Sequence, residues 1–341
     1  MTSDNLPVIR KIGVIGAGNW GTALADLLAS KGLFVKIWGY EEEVVASINE
    51  KHENPLYLKN FKLSPNLKAT SSLEEIAFQS EMLLSVVPSH FTREVLRKIV
   101  PYLSKAPYFV SATKGIEEDS LKMMHSVAEE ILPKEVFNNY AAISGPSFAN
   151  EVIRRMPTAV TGAAYLPQVQ RVVQETFGAP YFRIYSSSDV AGVEVGGAIK
   201  NVIALAAGIS DGLGFGHSTR AALITRGLAE ISRLGTKIGA NPFTLSGLSG
   251  MGDLILTATG DLSRNRTVGL RLGRGEKLEE ILKDMRMVAE GVRTSYAVYK
   301  LSKTLDVEMP ISEKVYRILY EGLEPKEAVM VLMGRSPKAE I

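Results

Sequence analysis

The sequence predicts an α/β domain followed by an all-helical C-terminal domain. Three observations carry this. First, the apolar run Ile12, Val14 and Ile15 leads straight into Gly16-Ala17-Gly18-Asn19-Trp20-Gly21. A helical pattern then opens at Trp20, with Leu24, Leu27 and Leu28 on one side, and ends at Gly32. Second, short apolar runs and helical patterns alternate as far as Tyr185, the pattern of βαβ units around a parallel sheet. Third, Ser186-Ser187-Ser188-Asp189 is a helix-start signal, and no convincing strand follows it. The expected division is therefore residues 1–188 and residues 189–341.

The GxGxxG stretch sets the reading of the first half. Gly16 permits a tight turn after the strand, Gly18 lets a pyrophosphate approach the backbone, and Gly21 lets the helix sit close to the strand. Unpaired amides and the positive end of the helix dipole would hold the phosphates. In its strand–turn–helix context this predicts a Rossmann-type dinucleotide-binding domain; the alternative is a glycine-rich turn without a ligand. The second strand, Phe34 to Trp38, is followed by Gly39-Tyr40-Glu41, where such folds meet the adenine ribose. An acidic residue there favours NAD and a basic one NADP. Tyr40 is neutral and Glu41 lies one position further on, so both cofactors stay open.

Glu43 to Lys51 reads as helix and Leu56 to Leu67 as irregular. Met82 to Val87 is a buried strand stopped by Pro88, which cannot donate to a ladder. His90 follows, as an acid–base candidate or a surface or capping histidine. Tyr108 to Ser111 leads into Ala112-Thr113-Lys114-Gly115, and Ala141 to Ser144 into Gly145-Pro146-Ser147-Phe148-Ala149. Ligands of open α/β sheets sit beyond the carboxyl ends of strands, where Lys114 and Ser147 fall. Alone, they read as a solvated lysine and a helix N-cap. Thr158 to Gly162, Gln168 to Phe177 and Tyr181 to Tyr185 complete this half.

Helical patterns then run over Asp189–Gly208, Ser218–Leu234, Pro242–Thr259, Thr267–Leu272 and Lys277–Met285, and from Thr294 to the tail. The first contains Gly196-Gly197-Ala198-Ile199-Lys200-Asn201, with Lys200 its only cation. Glu194 is six residues away and cannot be its i,i+4 partner. Burial would lower the lysine pKa and make a base usable near neutrality; the alternative is a side chain that snorkels to the surface. Asp253, in Gly250-Met251-Gly252-Asp253-Leu254, is a helix-start or turn aspartate, or the partner that orients Lys200. Gly260 to Thr267 clusters Ser263, Arg264, Asn265 and Arg266, either a phosphate clamp or an ordinary basic loop.

The bulk numbers narrow the classes. The chain has 341 residues, is 45% hydrophobic and 22% charged, and carries a net charge of +2, ordinary for a globular protein and with no field that points to nucleic acid. It lacks cysteine, which removes disulfides and thiolate chemistry and fits a reducing compartment. Four histidines are too sparse for a metal cluster. The N-terminus does not read as a signal peptide. The most apolar stretch, Val190 to Ile209, carries Glu194 and Lys200 and is not expected to span a membrane.

GAGNWGTALA, VPSH, SATKG, SGPSFA, EVGGAIKN, GMGDL, SRNR and VAEGVRT occur in this order. Together they resemble the bacterial-type NAD(P)-dependent glycerol-3-phosphate dehydrogenase family, over about residues 11 to 330. The resemblance implies NAD or NADP as cofactor and reversible reduction of dihydroxyacetone phosphate to sn-glycerol 3-phosphate, which starts phospholipid synthesis. It further implies a cytoplasmic homodimer. Lys200 matches the family's proton acceptor and Asp253 its substrate-site aspartate. Lys114, Gly145, Ser147, Ser263, Arg264 and Asn265 match substrate contacts, with Lys114 and Arg264 shared with the cofactor. Asn19, Trp20, Ala149, Val288 and Glu290 match cofactor contacts. Asn19 stands where Ser is common, and Tyr40 where Arg or His is common, which weakens a preference for NADP. The alternatives are a hydroxy-acid or sugar-acid dehydrogenase of the same build, and a nucleotide sensor without turnover.

Overall fold

The computed structural model describes residues 6–285, 289–337 and 339–340. Eight strands form one sheet: β1 (Lys11–Ile15), β2 (Phe34–Trp38), β3 (Leu67–Thr70), β4 (Met82–Ser85), β5 (Tyr108–Ser111), β6 (Tyr140–Ser144), β7 (Thr158–Ala164) and β8 (Phe182–Ser187). Their order is β3-β2-β1-β4-β5-β6-β7-β8. The pairs from β3 to β6 are parallel, β7 runs antiparallel to β6, and β8 is parallel to β7. The first six strands thus follow the Rossmann order, with its switch point between β1 and β4. Both faces of the sheet are covered, which is why its central strands are almost wholly apolar. Ile12 and Val14 pack with Leu24, Leu27 and Leu28 on one face. Ile15 packs with Leu83 and Phe109 on the other.

The chain after β8 is helical. Asp189 caps the helix Val190–Gly212, accepting a bond from Gly192 N at 2.8 Å. This central helix is long and apolar enough to cross a membrane by length and hydropathy alone. Yet 94% of its most apolar window is buried inside the fold, wrapped by the other helices.

Several elements differ from expectation. β3 begins at Leu67, the last residue of the stretch read as irregular, and was not expected; it is only four residues long, and Lys68 interrupts its apolar pattern. The single helix expected over Pro242–Thr259 is three pieces: Pro242–Leu245, a π-helical turn Leu248–Gly252, and Asp253–Thr259. The break is steric. A Cβ on Gly250 would sit 1.9 Å from the Leu245 carbonyl oxygen, and one on Gly196 would sit 2.5 Å from that of Ser249. The turn therefore presses directly on the central helix through glycine. The run from Thr294 divides into Glu290–Thr304, Pro310–Tyr320 and Pro325–Met333, each of the last two starting at a proline suited to a first helical turn.

One buried polar joint ties the sheet to the central helix. Glu194, six residues from Lys200 and not its partner, accepts from Tyr140 OH of β6 at 2.6 Å and from His125 backbone N at 3.0 Å; His125 Nδ1 lies 2.8 Å from the same carboxylate. Tyr140→Phe leaves Glu194 short of a donor and should cost about 1–3 kcal/mol in denaturant unfolding. Burial works against the charge on His125, but the Glu194 carboxylate outweighs it and raises the pKa. The charged pair should therefore stabilise the fold fully below the ordinary histidine pKa, and that contribution should fade as pH rises through the raised value. Stability measured against pH should lose this component in His125→Gln.

Candidate active site

The site is built at the carboxyl ends of the central strands, where the helical half meets the sheet. The glycine loop follows β1. Gly16 has φ +115°, open to glycine and strained for other residues, and a Cβ there would meet Val86 O at 2.9 Å. A Cβ on Gly21 would sit 1.9 Å from Gly16 O, so the helix Asn19–Ser30 closes onto the turn. Gly18 has nothing within 4 Å of its missing Cβ, which leaves its backbone open to a ligand. Asn54 holds the loop from behind, donating from Nδ2 to Ala17 O at 2.9 Å and Thr22 Oγ1 at 2.8 Å. Nothing in the local sequence around Asn54 signals that contact.

Two buried polar atoms beside this loop, Asn19 Oδ1 and Trp20 Nε1, have no protein partner. Buried polar atoms are normally paired, so these fit a polar ligand laid along the loop. Trp20 packs near Ala149, which follows β6. Tyr40, past β2, is 83% exposed. Glu41 next to it accepts a hydrogen bond from Tyr57 OH. The residues present therefore fit a dinucleotide at this edge of the sheet. Val288 lies outside the described residues.

Across the edge lies the charged centre. Lys200 is 5% exposed and Asp253 is 1% exposed. Lys200 Nζ donates to Asp253 Oδ1 at 2.5 Å and to Thr257 Oγ1 at 2.8 Å. Lys114 Nζ donates to the other carboxylate oxygen, Oδ2, at 2.6 Å and to Gly145 O at 3.3 Å. One carboxylate from the helical half is thus shared by two lysines, one from each half. The approach of the π-helical turn to Gly196 explains the meeting, because Gly196 and Lys200 share a helix face. Thr257 escaped the sequence reading, although it stands four residues after Asp253 on one helix and its spacing marks the same face.

Burial drives the Lys200 pKa down; Asp253 opposes this and Lys114 adds to it, leaving it at about 7. The snorkelling alternative is excluded, since the nitrogen is enclosed. Glu290, partly buried at the start of its helix, is pushed up to about 7 by burial, which the charges of Arg264, Lys114 and Lys200 counter. A Cβ on Gly115 would come 3.9 Å from Glu290 Oε2, so this carboxylate lies beside the loop after β5.

The remaining predicted residues take definite places. Ser147 does not cap a helix, contrary to its local sequence taken alone; its hydroxyl donates to Gly145 O at 2.9 Å, and Phe148 occupies the cap position. Ser263 does cap, accepting from Arg266 N at 3.2 Å. Arg264 opens the helix Arg264–Gly273. Asn265 Nδ2 donates to Asn201 Oδ1 at 2.9 Å, while its own Oδ1 accepts from Gly291 N at 2.9 Å. Arg266, grouped with the clamp by sequence, instead pairs with Asp211 and Asp261. His90 stands in the first turn of the helix Ser89–Ile99, half-buried, and burial lowers its pKa.

Both halves of the chain match known proteins. Residues 11–170 match the family model for the NAD-dependent glycerol-3-phosphate dehydrogenase N-terminus, and residues 189–330 the model for its C-terminus. The chain is 57% identical to a glycerol-3-phosphate dehydrogenase [NAD(P)+] of Citrifermentans bemidjiense, over 97% of this chain and 99% of that one. A crystal structure of glycerol-3-phosphate dehydrogenase from Coxiella burnetii superposes with a TM-score of 0.92 at 39% identity, covering 96% of this chain and all of that one. The enzyme structure from Saccharomyces cerevisiae gives a TM-score of 0.81 at 28% identity, covering 95% and 99% of the two chains. The chain belongs to the NAD-dependent glycerol-3-phosphate dehydrogenase family.

Proposed function

We propose that this chain reversibly reduces dihydroxyacetone phosphate to sn-glycerol 3-phosphate with NAD(P)H. The observation that carries the reading is the enclosed Lys200, titrating near neutrality while held by Asp253. The nicotinamide supplies or accepts the hydride at C2. In reduction, the Lys200 ammonium polarises the C2 carbonyl and delivers the proton to the forming alkoxide. In oxidation, neutral Lys200 takes the hydroxyl proton. Asp253 and Thr257 hold the amine in place, and Lys114 neutralises the second carboxylate oxygen.

Arg264 and Asn265, with Ser263 at the same helix start, anchor the substrate phosphate, so that binding energy remote from C2 aligns the reacting carbon. Lys114, Gly145 and Ser147 line the substrate from the sheet side. Gly16, Gly18, Asn19, Trp20, Gly21, Tyr40, Ala149 and Glu290 contact the dinucleotide, and Lys114 and Arg264 reach both ligands; Val288, the remaining match, lies outside the described residues. Residues 1–188 form the cofactor-binding domain and residues 189–341 the substrate domain; the helix cap at Asp189 supports that division. The product feeds phospholipid synthesis in the cytoplasm, and the chain works as a homodimer.

Lys200→Ala should lose roughly 10²-fold or more in turnover while cofactor affinity holds, measured by nicotinamide absorbance; near-normal turnover would refute the assignment. The pH dependence has opposite signs in the two directions. Oxidation should rise as pH passes through about 7, where Lys200 loses its proton, and reduction should fall over the same range. Arg264→Ala should raise the KM for dihydroxyacetone phosphate far more than that for dihydroxyacetone. Equal effects on both would remove the phosphate anchor.

A further inference from the structure

Arg266 points away from the site yet bears on it. Its guanidinium holds Asp211 through Nε at 2.9 Å and Nη2 at 2.8 Å, and reaches Asp261 at 2.8 Å. Asp211 stands on the central helix, and Arg220 of the next helix grips the same carboxylate at 2.6 Å. The clamp thus ties the helix Arg264–Gly273 to the helix that carries Lys200.

Between these two helices runs a seam of glycine. A Cβ on Gly208 would sit 2.1 Å from Arg266 O, and one on Gly269 2.1 Å from Leu205 O. A Cβ on Gly212 would sit 2.3 Å from Leu270 O, and one on Gly273 2.3 Å from Ile209 O. The backbones touch with no side chain between them. Contacts advance together along both chains, from Asn201 with Asn265 to Gly212 with Gly273, so the helices run parallel. At the start of the seam, Asn265 joins Asn201 to Gly291. Lys200, Arg264 and Glu290 each immediately precede one member of this junction.

The glycines let the two helices approach backbone to backbone, so the spacing of the groups they carry depends on how the pair is held along its length. Nε and Nη2 of Arg266 converge on the single oxygen Asp211 Oδ2 while Arg220 holds Oδ1, a charged tie between the two helices beyond the glycine contacts. We propose that Arg266 and Asp211 are positioning residues that set the spacing between Lys200 and Arg264, and thereby select a substrate whose phosphate ester sits on the carbon next to the reacting carbonyl. The inference rests on the reaction proposed above. Neither residue touches substrate; both act through the helix that starts with Arg264.

The test uses Arg266→Gln and Asp211→Asn in the full chain, assayed with dihydroxyacetone phosphate and with unphosphorylated dihydroxyacetone, alongside Tm. Misplacing the anchor by about 1 Å should lower kcat/KM for the phosphorylated substrate on the order of 10²-fold. The value for dihydroxyacetone and the KM for the cofactor should hold. Equal losses on both substrates, losses that track a fall in Tm, or no loss at all would each overturn the inference. If a variant fails to fold, Arg266→Lys, which keeps the charge without the fork, is read by the same substrate ratio. Wild-type chain that leaves dihydroxyacetone phosphate unreduced would overturn the functional reading itself, and the inference with it.

Discussion

The structure depends on an ammonium group taken out of water and left with a shared counter-charge. Lys200 loses most of its hydration inside the helical core, and desolvation of a charge is expensive. Asp253 offsets part of that cost, but its other oxygen is already occupied by Lys114. The second cation, drawn to the same carboxylate, repels the first and so works against the charge on Lys200. Burial is the largest influence, Asp253 opposes it and Lys114 adds to it, so the proton on Lys200 sits near balance with a pKa of about 7. An amine in that condition can serve as acid in one direction and base in the other.

The rest of the fold keeps this balance in place, and it does so largely by leaving side chains out. Gly196 admits the π-helical turn that carries Asp253, and Gly197 admits Ser144 at the end of β6, whose Oγ would lie 2.5 Å from an added Cβ. Gly208 and Gly269 bring the helix Arg264–Gly273 against the central one. Such contacts position atoms more tightly than packing through long side chains, because backbone does not change rotamer. The Glu194 joint with Tyr140 and His125 then fixes the central helix to the sheet, on the same helix that delivers Lys200 to the cofactor edge.

Local patterning was legible where chemistry and structure depend on neighbours in the chain. The glycine loop, the strand stops before Pro88 and after Ser144, and the cap at Asp189 all belong to this class. So does the isolation of Lys200 in an apolar helix. β3 was missed because four residues with a charge among them carry little periodicity. The break within 242–259 was missed because its cause, contact with Gly196, lies some fifty residues away. Arg266 was left undecided between clamp and basic loop for a related reason: it stands two residues after Arg264, and helix residues two apart project about 200° apart and face different partners.

The sequence by itself determined that a strand–glycine–helix unit of the dinucleotide-binding pattern opens the chain, that a helical half follows, and that one lysine there has no local counter-charge. These are properties of spacing and composition over a few turns. Tertiary structure decided that Asp253 would be that counter-charge, that Lys114 would share it, and that Arg266 would brace the site from outside. Each of those pairings joins residues more than fifty positions apart, or turns a side chain away from its neighbours. Only the packing of backbone against backbone at glycine sets which groups arrive within hydrogen-bond reach.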